Sequence, residues 1–270
     1  MRTLALPILT SALMLASCAN PGALRAGGDV AAGCASLATA VDAARIGLPS
    51  SGATIDSATL VAASALSVAE RGPTPAATIT PAAPQHCKVL GRIAPVDAKA
   101  PPILFQLNLP TQWNGRSLQY GGGGFNGVLI SGLGLLPAAP FDKPSPLAQG
   151  FVTVGTDSGH QNQPGQPPQA FALNDEALLN FAHASYKKVR DVSVELMKRA
   201  YGRGPDKLYF VGSSEGGREG LTMAQRYPND FDGVFSRVPV IHWTGLQHAG
   251  LRDGFATMGE GWIRPPQVKL

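Results

Sequence analysis

Residues 211–217, with the sequence Val-Gly-Ser-Ser-Glu-Gly-Gly, constrain the fold more than any other segment of this chain. An apolar run at 208–211 precedes them, and Leu221, Ala224 and Tyr227 follow at helical spacing until Pro228 ends the helix. A serine in Gly-x-Ser-x-Gly between a strand and a helix lies on a tight turn with its hydroxyl exposed. The segment therefore predicts Ser214 as a nucleophile for acyl transfer. A plain connection between strand and helix is the alternative.

Composition limits the classes of function. The 270 residues are 44% hydrophobic and 15% charged, which is typical of a globular protein with a sizeable core. The net charge of +4 is mild, and the basic residues are scattered apart from the pairs at 187–188 and 198–199. Both pairs fall on one predicted helix, where they form a solvated face. We therefore expect no nucleic-acid partner.

The N-terminus has the features of an export signal. Arg2 precedes the apolar segment 4–16, which is too short to span a bilayer. Residues 15–18, Leu-Ala-Ser-Cys, are similar to a bacterial lipobox, so Cys18 is the predicted lipidation site and the only expected membrane attachment. An ordinary signal peptide is the alternative. In both cases we expect a periplasmic protein, an outer-membrane lipoprotein or a secreted protein.

Two further cysteines, Cys34 and Cys87, remain in the mature chain. In an oxidising compartment a disulfide between them is the simplest interpretation, and two free buried thiols are the alternative. A metal site is not indicated, because His86 is the only conventional ligand near them.

The remaining pattern predicts an α/β architecture. Residues 19–33 are rich in Gly and Ala and are predicted to form a tether. A long helix is predicted from Asn174, a good N-cap, because apolar residues recur every three or four positions from 178 to 200. The predicted strands lie at 87–94, 103–109, 117–120, 151–156, 208–211 and 231–240. Strands that alternate with helices in the second half predict a parallel sheet.

Four glycines at 121–124 follow a predicted strand and offer close backbone approach to a substrate carbonyl. An oxyanion hole needs two N–H donors. The residue after the nucleophile, Glu215, supplies one, and Gly123 or Gly124 supplies the other. A merely flexible loop is the alternative.

The glycine segment also matches the dinucleotide pattern Gly122-x-Gly124-x-x-Gly127, with Asp142 about 20 residues on. The Gly- and Pro-rich stretch at 125–150 does not open a helix, as that pattern requires. We therefore expect no nucleotide cofactor.

The chain offers no convincing general acid or base after Ser214. Further strands should separate the nucleophile from the catalytic acid and base. The candidates in this chain come before any such strands and are therefore too early: Asp230, Asp232, Asp253, His242 and His248. His160 lies upstream, at the end of a predicted strand, and is interpreted as structural.

Five stretches together resemble the tannase/feruloyl esterase family of secreted α/β-hydrolases, which includes the mono(hydroxyethyl) terephthalate hydrolases. They are LPTQWNG (109–115), YGGGGFNG (120–127), GTDSGH (155–160), YFVGSSEGGREGL (209–221) and YPNDFDG (227–233). The resemblance implies an α/β-hydrolase core, a mostly parallel sheet with flanking helices. It also implies Ser214 as nucleophile, the Glu215 N–H and the glycine loop as oxyanion hole, and a Cys34–Cys87 disulfide.

Two departures from the family pattern matter. Members often carry Cys directly before the nucleophile, bonded to a Cys beside the catalytic His, whereas this chain has Ser213. The family is also about twice as long, with an inserted lid that often binds calcium. We therefore expect an N-terminal fragment, with residues 34–245 forming part of the core and 246–270 beginning the lid. Its later strands and its catalytic Asp and His are expected beyond this chain, and no cofactor is expected within it.

These observations lead to one functional hypothesis and one alternative. The hypothesis is an exported serine carboxylic ester hydrolase that acts on small esters of aromatic acids through an acyl-enzyme. The alternative is a non-catalytic envelope lipoprotein, or a truncated pseudoenzyme, that keeps a hydrolase-like half-domain.

Overall fold

A computed structural model of the chain describes Leu24 and residues 28–69, 78–140 and 142–262. The strands in these residues are β1 (Ala53–Val61), β2 (Ser67–Ala69), β3 (Thr78–Thr80), β4 (His86–Ile93), β5 (Ile103–Pro110), β6 (Arg116–Tyr120), β7 (Val152–Thr156), β8 (Lys207–Ser213) and β9 (Gly233–Arg237). The α-helices are α1 (Val30–Ala35), α2 (Asp175–Leu179), α3 (Ser185–Tyr201), α4 (Glu215–Arg226) and α5 (Trp243–Ala256). The predicted signal segment, the lipidation site at Cys18 and residues 263–270 lie outside the described residues.

Seven strands form one sheet in the order β1-β4-β5-β7-β6-β8-β9. The pairs β7–β6, β6–β8 and β8–β9 are parallel, whereas the pairs β1–β4, β4–β5 and β5–β7 are antiparallel. The sheet is therefore mixed rather than mostly parallel, and the predicted parallel arrangement is confirmed for its second half. The difference follows from the connections: β4 joins β5 without a helix, as antiparallel neighbours allow, and α4 forms the crossover from β8 to β9.

Helix α3 covers the centre of the sheet. Its buried apolar face includes Val189, Val192, Leu196 and Met197, and these side chains form one core with Val154 of β7. Burying each such side chain stabilises the fold by about 1.5–3 kcal/mol. Gly202 ends the helix in the left-handed conformation with φ of 74°, which glycine adopts without a steric penalty.

The predicted helix from Asn174 is interrupted in a way that the sequence pattern did not indicate. The Asn174 side chain accepts a hydrogen bond from the Ala177 N–H, which confirms the predicted N-cap. A π-helical turn at Asn180–Ala184 then separates α2 from α3. Because a π turn holds more residues than an α turn, it changes the phase of the helix. Leu178, predicted on the apolar face, is consequently exposed.

The N-terminal segment is attached to the sheet by a disulfide. Cys34 of α1 is bonded to Cys87 of β4, and both cysteines are fully buried, so the implied bridge is confirmed. Helix α1 begins at Val30, inside the segment assigned to a tether, because Asp29 caps its first N–H groups. The composition of that segment did not reveal this helix.

The carboxyl ends of the parallel strands bring the candidate site residues to one edge of the sheet. The glycines 121–124 follow β6, Asp157 follows β7, and Ser214 follows β8. In open α/β sheets this edge is where ligands bind. Over the described part of the chain, no helix is both long and apolar enough to cross a membrane.

Candidate active site

Ser214 occupies the sharp turn between β8 and α4. Its backbone has φ of 60° and ψ of −118°, a conformation that residues other than glycine rarely adopt. The side chain is exposed, whereas the residues on both sides of the turn, Gly212 and Glu215, are buried. A hydroxyl at such a bend can approach a bound ester without hindrance from its own strand or helix.

Glycines allow this bend to form against its neighbours. A Cβ on Gly212 would overlap the carbonyl oxygen of Gly216 on the first turn of α4. A Cβ on Gly216 would lie 2.7 Å from the carbonyl oxygen of Gly122. The glycine loop after β6 therefore packs directly against the start of α4, one turn from Ser214.

Backbone hydrogen bonds fix the turn from the side of β9. The Ser214 N–H donates to the Arg237 carbonyl at 3.0 Å, and the Val240 N–H donates to the Ser214 carbonyl at 3.2 Å. Beside the turn, the Arg237 guanidinium donates to the Ser213 hydroxyl at 3.2 Å. The family resemblance implies a cysteine at the position of Ser213, and in this chain the Arg237 contact links that position to β9.

The N–H groups of the glycine loop differ in what they bind. The Gly122 N–H donates to the Glu219 carboxyl at 2.9 Å, and the Gly123 N–H donates to the Asn126 side chain at 2.7 Å. Gly124 has φ of 60° and lies exposed, and its N–H has no acceptor among the described residues. Of the two glycines that the sequence left open, Gly123 is already engaged and Gly124 is available.

Glu215 begins helix α4, so its N–H has no partner within the helix. Its side chain is fully buried and pairs with the Arg218 guanidinium. Burial raises the pKa of the Glu215 carboxyl to about 7, and the neighbouring Arg218 opposes that rise. Arg218 also donates to the carbonyls of Phe181 and Ala182, so this ion pair joins α4 to the π turn.

Glu219 lies one turn further along α4 and is also buried. Burial raises the pKa of its carboxyl, whereas hydrogen bonds from Tyr186, Asn126 and Gly122 favour the charged form. Glu219 and Asn126 were not predicted as site residues from the sequence. The two glutamates follow the nucleophile at positions one and five of a helix start rich in glycine, and that pattern could have indicated a buried acidic face.

The candidate acids and bases named from the sequence are spread over the molecule. Asp230 pairs with Lys187 at 2.9 Å and Asp232 with Lys207 at 2.7 Å, so both serve as structural ion pairs. His242, His248 and Asp253 lie on or beside α5 with exposed side chains. Across residues 28–69, 78–140 and 142–262, the Ser214 hydroxyl forms no hydrogen bond to any of them.

His160 and Asp157 lie near the sheet edge, where the His160 ring packs on aromatic side chains and the Asp157 carboxylate forms local hydrogen bonds. The His160 ring stacks on Phe171 with the centroids 3.8 Å apart, and burial lowers the pKa of His160 to about 4. The Asp157 carboxylate accepts hydrogen bonds from the Leu104 N–H at 3.0 Å and from Gln161 at 2.6 Å. Burial raises the pKa of Asp157 to about 6. The structural role of His160 stays a prediction, and the stacking on Phe171 is the contact that supports it.

An aromatic cavity of about 590 Å³ lies beside the glycine loop. Phe125, which directly follows Gly124, meets Trp243 of α5 edge-to-face with the ring centroids 5.0 Å apart. Phe171 and Phe181 complete the aromatic wall, and Arg218 of α4 also lines the cavity. A second groove of about 610 Å³ is lined by residues of β6, β8 and β9 and by residues within 136–151, and Ser214 is not part of its lining.

The described residues contain no group of three His, Cys, Asp or Glu side chains placed to hold a metal ion.

Comparison with known proteins shows that this chain is similar to one family of esterases. The model of the family described as tannase and feruloyl esterase matches residues 87–270. An uncharacterized esterase of Agrobacterium fabrum is 43% identical over 86% of this chain and 40% of its own length. The mono(2-hydroxyethyl) terephthalate hydrolase of Piscinibacter sakaiensis is 38% identical over 74% of this chain and 33% of its own length. This chain therefore spans well under half the length of these relatives.

A solved structure supports the same relationship. Feruloyl esterase B from Aspergillus oryzae superposes with a TM-score of 0.59 at 29% sequence identity. The superposition covers 83% of this chain and 40% of that protein. The seven-stranded mixed sheet with its flanking helices is thus part of an α/β-hydrolase core, and the chain belongs to the tannase and feruloyl esterase family.

Proposed function

We propose that this chain carries the nucleophile half of a serine carboxylic ester hydrolase. The observation that supports the proposal best is the exposed Ser214 at a backbone turn with φ of 60°, at the start of the helix that packs against the glycine loop through Gly216. Such a turn is built against a steric penalty, and strained residues of this kind cluster at catalytic sites. The esterase names of the relatives agree with this chemistry.

In the proposed reaction the Ser214 hydroxyl attacks the ester carbonyl and gives a tetrahedral intermediate. The N–H groups of Glu215 and Gly124 stabilise its oxyanion, since the N–H of Gly123 already donates to Asn126. The intermediate collapses to an acyl-enzyme and releases the alcohol, and water then frees the acid. We assign the base to an Asp–His pair in the part of the family length that this chain does not cover.

The substrates we propose are small esters of aromatic acids. The wall formed by Phe125, Phe171, Phe181 and Trp243 stands next to the glycine loop and offers ring faces and edges to a planar acyl group. Relatives named as feruloyl esterase and as mono(2-hydroxyethyl) terephthalate hydrolase agree with this class of substrate.

We also propose that the protein is exported and attached to a membrane through lipid at Cys18. The support is the apolar segment at 4–16 with its lipobox-like end, together with the Cys34–Cys87 disulfide. Disulfides persist in oxidising compartments outside the cytoplasm.

Labelling with a fluorophosphonate tests the nucleophile. The reagent should modify Ser214 in the full gene product, and Ser214→Ala should abolish the modification, because the attacking oxygen is lost. The matched control is Ser213→Ala, which removes the neighbouring hydroxyl. It should leave labelling within about twofold of wild type, since among the described residues that hydroxyl binds Arg237 and no other side chain. Labelling that survives Ser214→Ala would refute the assignment, and a wild-type protein that is never labelled would favour the non-catalytic alternative.

A further inference from the structure

Glu219 is a buried carboxyl whose surroundings are unusual. It lies on α4 with 1% of its surface exposed, and it makes no ion pair with any described residue. A buried carboxylate without a cation is costly unless several donors bind it. The hydrogen-bond donors to the Glu219 carboxyl therefore indicate its role in the structure.

Two of the donors to Glu219 belong to the glycine loop, and a third is the Tyr186 hydroxyl of α3. One carboxyl oxygen accepts from the Gly122 N–H at 2.9 Å, and the other accepts from the Asn126 amide at 2.6 Å. The same Asn126 side chain accepts from the Gly123 N–H at 2.7 Å, and its amide contacts the Tyr186 hydroxyl at 3.4 Å. Glu219 thus binds two consecutive loop amides, one directly and one through Asn126.

Asn126 is itself fixed in the conformation that this relay needs. Its backbone has φ of 60°, and its N–H donates to the Gly123 carbonyl at 2.8 Å, which closes the loop on itself. The next amide in the run, that of Gly124, is the one left without an acceptor among the described residues. Occupying Gly122 and Gly123 in this way fixes the direction of the Gly124 peptide.

We propose that Glu219 is a positioning residue that holds the glycine loop, through Gly122 and Asn126, with the Gly124 N–H directed to the oxyanion of the Ser214 reaction. The inference rests on the proposed function. It means that one helix sets both donors: the Glu215 N–H belongs to the first turn of α4, and Gly124 is fixed to the second turn through Glu219. Donors held in place before the reaction need no rearrangement as charge develops.

Glu219→Gln tests this role in the full gene product. The variant keeps the shape of the side chain, but one of its two terminal groups is an NH2, which cannot accept a hydrogen bond. Because Gly122 and Asn126 both donate to Glu219, one of these two loop contacts is lost. Since removing a whole oxyanion donor lowers turnover by about 10²–10³-fold, a loosened donor should lower the fluorophosphonate labelling rate by about 10–100-fold. The KM for a neutral ester should change by less than about threefold, because ground-state binding does not use this donor.

The control is Asp191→Asn. Asp191 is also a buried carboxyl on a helix, but it binds the Gly47 N–H and Lys187, away from the glycine loop. This variant should label at the wild-type rate. A merely structural role for Glu219 predicts that both variants lose thermal stability and neither changes labelling of the folded protein.

Amide hydrogen exchange supplies a second readout. Exchange in the segment 121–127 should accelerate in Glu219→Gln, while exchange in β6 and β8 stays unchanged. If Glu219→Gln does not fold, Asn126→Ala tests the same relay and should show the same slower labelling and faster exchange. Wild-type labelling and exchange in a folded variant overturn the inference and leave the proposed function standing, whereas an unreactive wild-type protein overturns the proposed function itself.

Discussion

At the scale of single residues, the backbone of Ser214 is held in a conformation that costs about 1–3 kcal/mol for a residue with a Cβ. The surroundings maintain it through the hydrogen bonds to Arg237 and Val240 and through the glycines at 212 and 216. Strain of this kind belongs to the folded state alone, so it lowers the free energy of unfolding and can be measured by relieving it.

Ser214→Gly should be more stable than Ser214→Ala by about 1 kcal/mol, because glycine adopts φ of 60° without a steric penalty whereas alanine keeps the strain. Urea unfolding of the two variants measures the difference. The same pair of substitutions at Ser213, in the extended backbone of β8, should give the opposite order, with alanine the more stable by about 0.5–1 kcal/mol. Equal stabilities for the two Ser214 variants would mean that the turn carries no strain.

From the sequence, only those parts of the candidate site could be predicted that depend on a motif of glycine and serine residues. Gly-x-Ser-x-Gly between a strand and a helix placed Ser214 at the turn, and a run of glycines marked the loop that packs beside it. The supporting side chains carry only a weaker signal, which is the spacing of two glutamates in a glycine-rich helix start. Because carboxylates are rarely buried, the sequence predicts that the side chains of Glu215 and Glu219 are exposed on the helix surface. Only the folded chain brings Arg218 to Glu215 and Asn126 to Glu219.

At the scale of elements, the predicted strands and helices agree with the structure to within a few residues, since apolar periodicity is strong in most of them. The exceptions have local causes. The π turn at Asn180–Ala184 rotates Leu178 off the buried face of the helix. On α4, Leu221 is exposed, and the buried face is instead formed by three glycines together with Glu215, Glu219 and Met223.

Close packing of α4 on the turn gives a prediction about Gly212. A Cβ there would overlap the Gly216 carbonyl of α4, and neither backbone can move without displacing the helix. Gly212→Ala should therefore lower the free energy of unfolding by more than about 3 kcal/mol, in the range of severe core substitutions. The control is Gly204→Ala, whose Cβ would only approach the end of the Lys198 side chain at 3.8 Å. That variant should be unchanged or slightly more stable, and similar losses in both would show that the turn is not tightly packed.

At the scale of the whole molecule, the family model begins inside β4, so part of the same sheet lies before it. Residues 87–270 match the family, whereas α1 and β1 precede it and complete the antiparallel side of the sheet. The sequence could not predict how this first segment attaches, apart from its cysteine count, because its composition is dominated by small residues. The structure joins it to the sheet by the β1–β4 pairing and by the Cys34–Cys87 bridge at the centre of the core.

The bridge should make a large contribution to overall stability, because it closes a long segment of chain. The cysteines are 53 positions apart, and a loop of that length reduces the entropy of the unfolded chain by an amount worth about 3–4 kcal/mol. The variant Cys34→Ala/Cys87→Ala should lose about that much free energy of unfolding in urea. Its hydrogen exchange should accelerate first in α1 and β1, since the parallel strands keep their own packing on α3 and α4.

Cys34→Ala alone should give a similar loss, because the bridge is absent in either case. A reductant should destabilise the wild-type protein and leave the double variant unaffected. Equal stability of wild type and double variant would mean that the strand pairing alone holds the first segment in place.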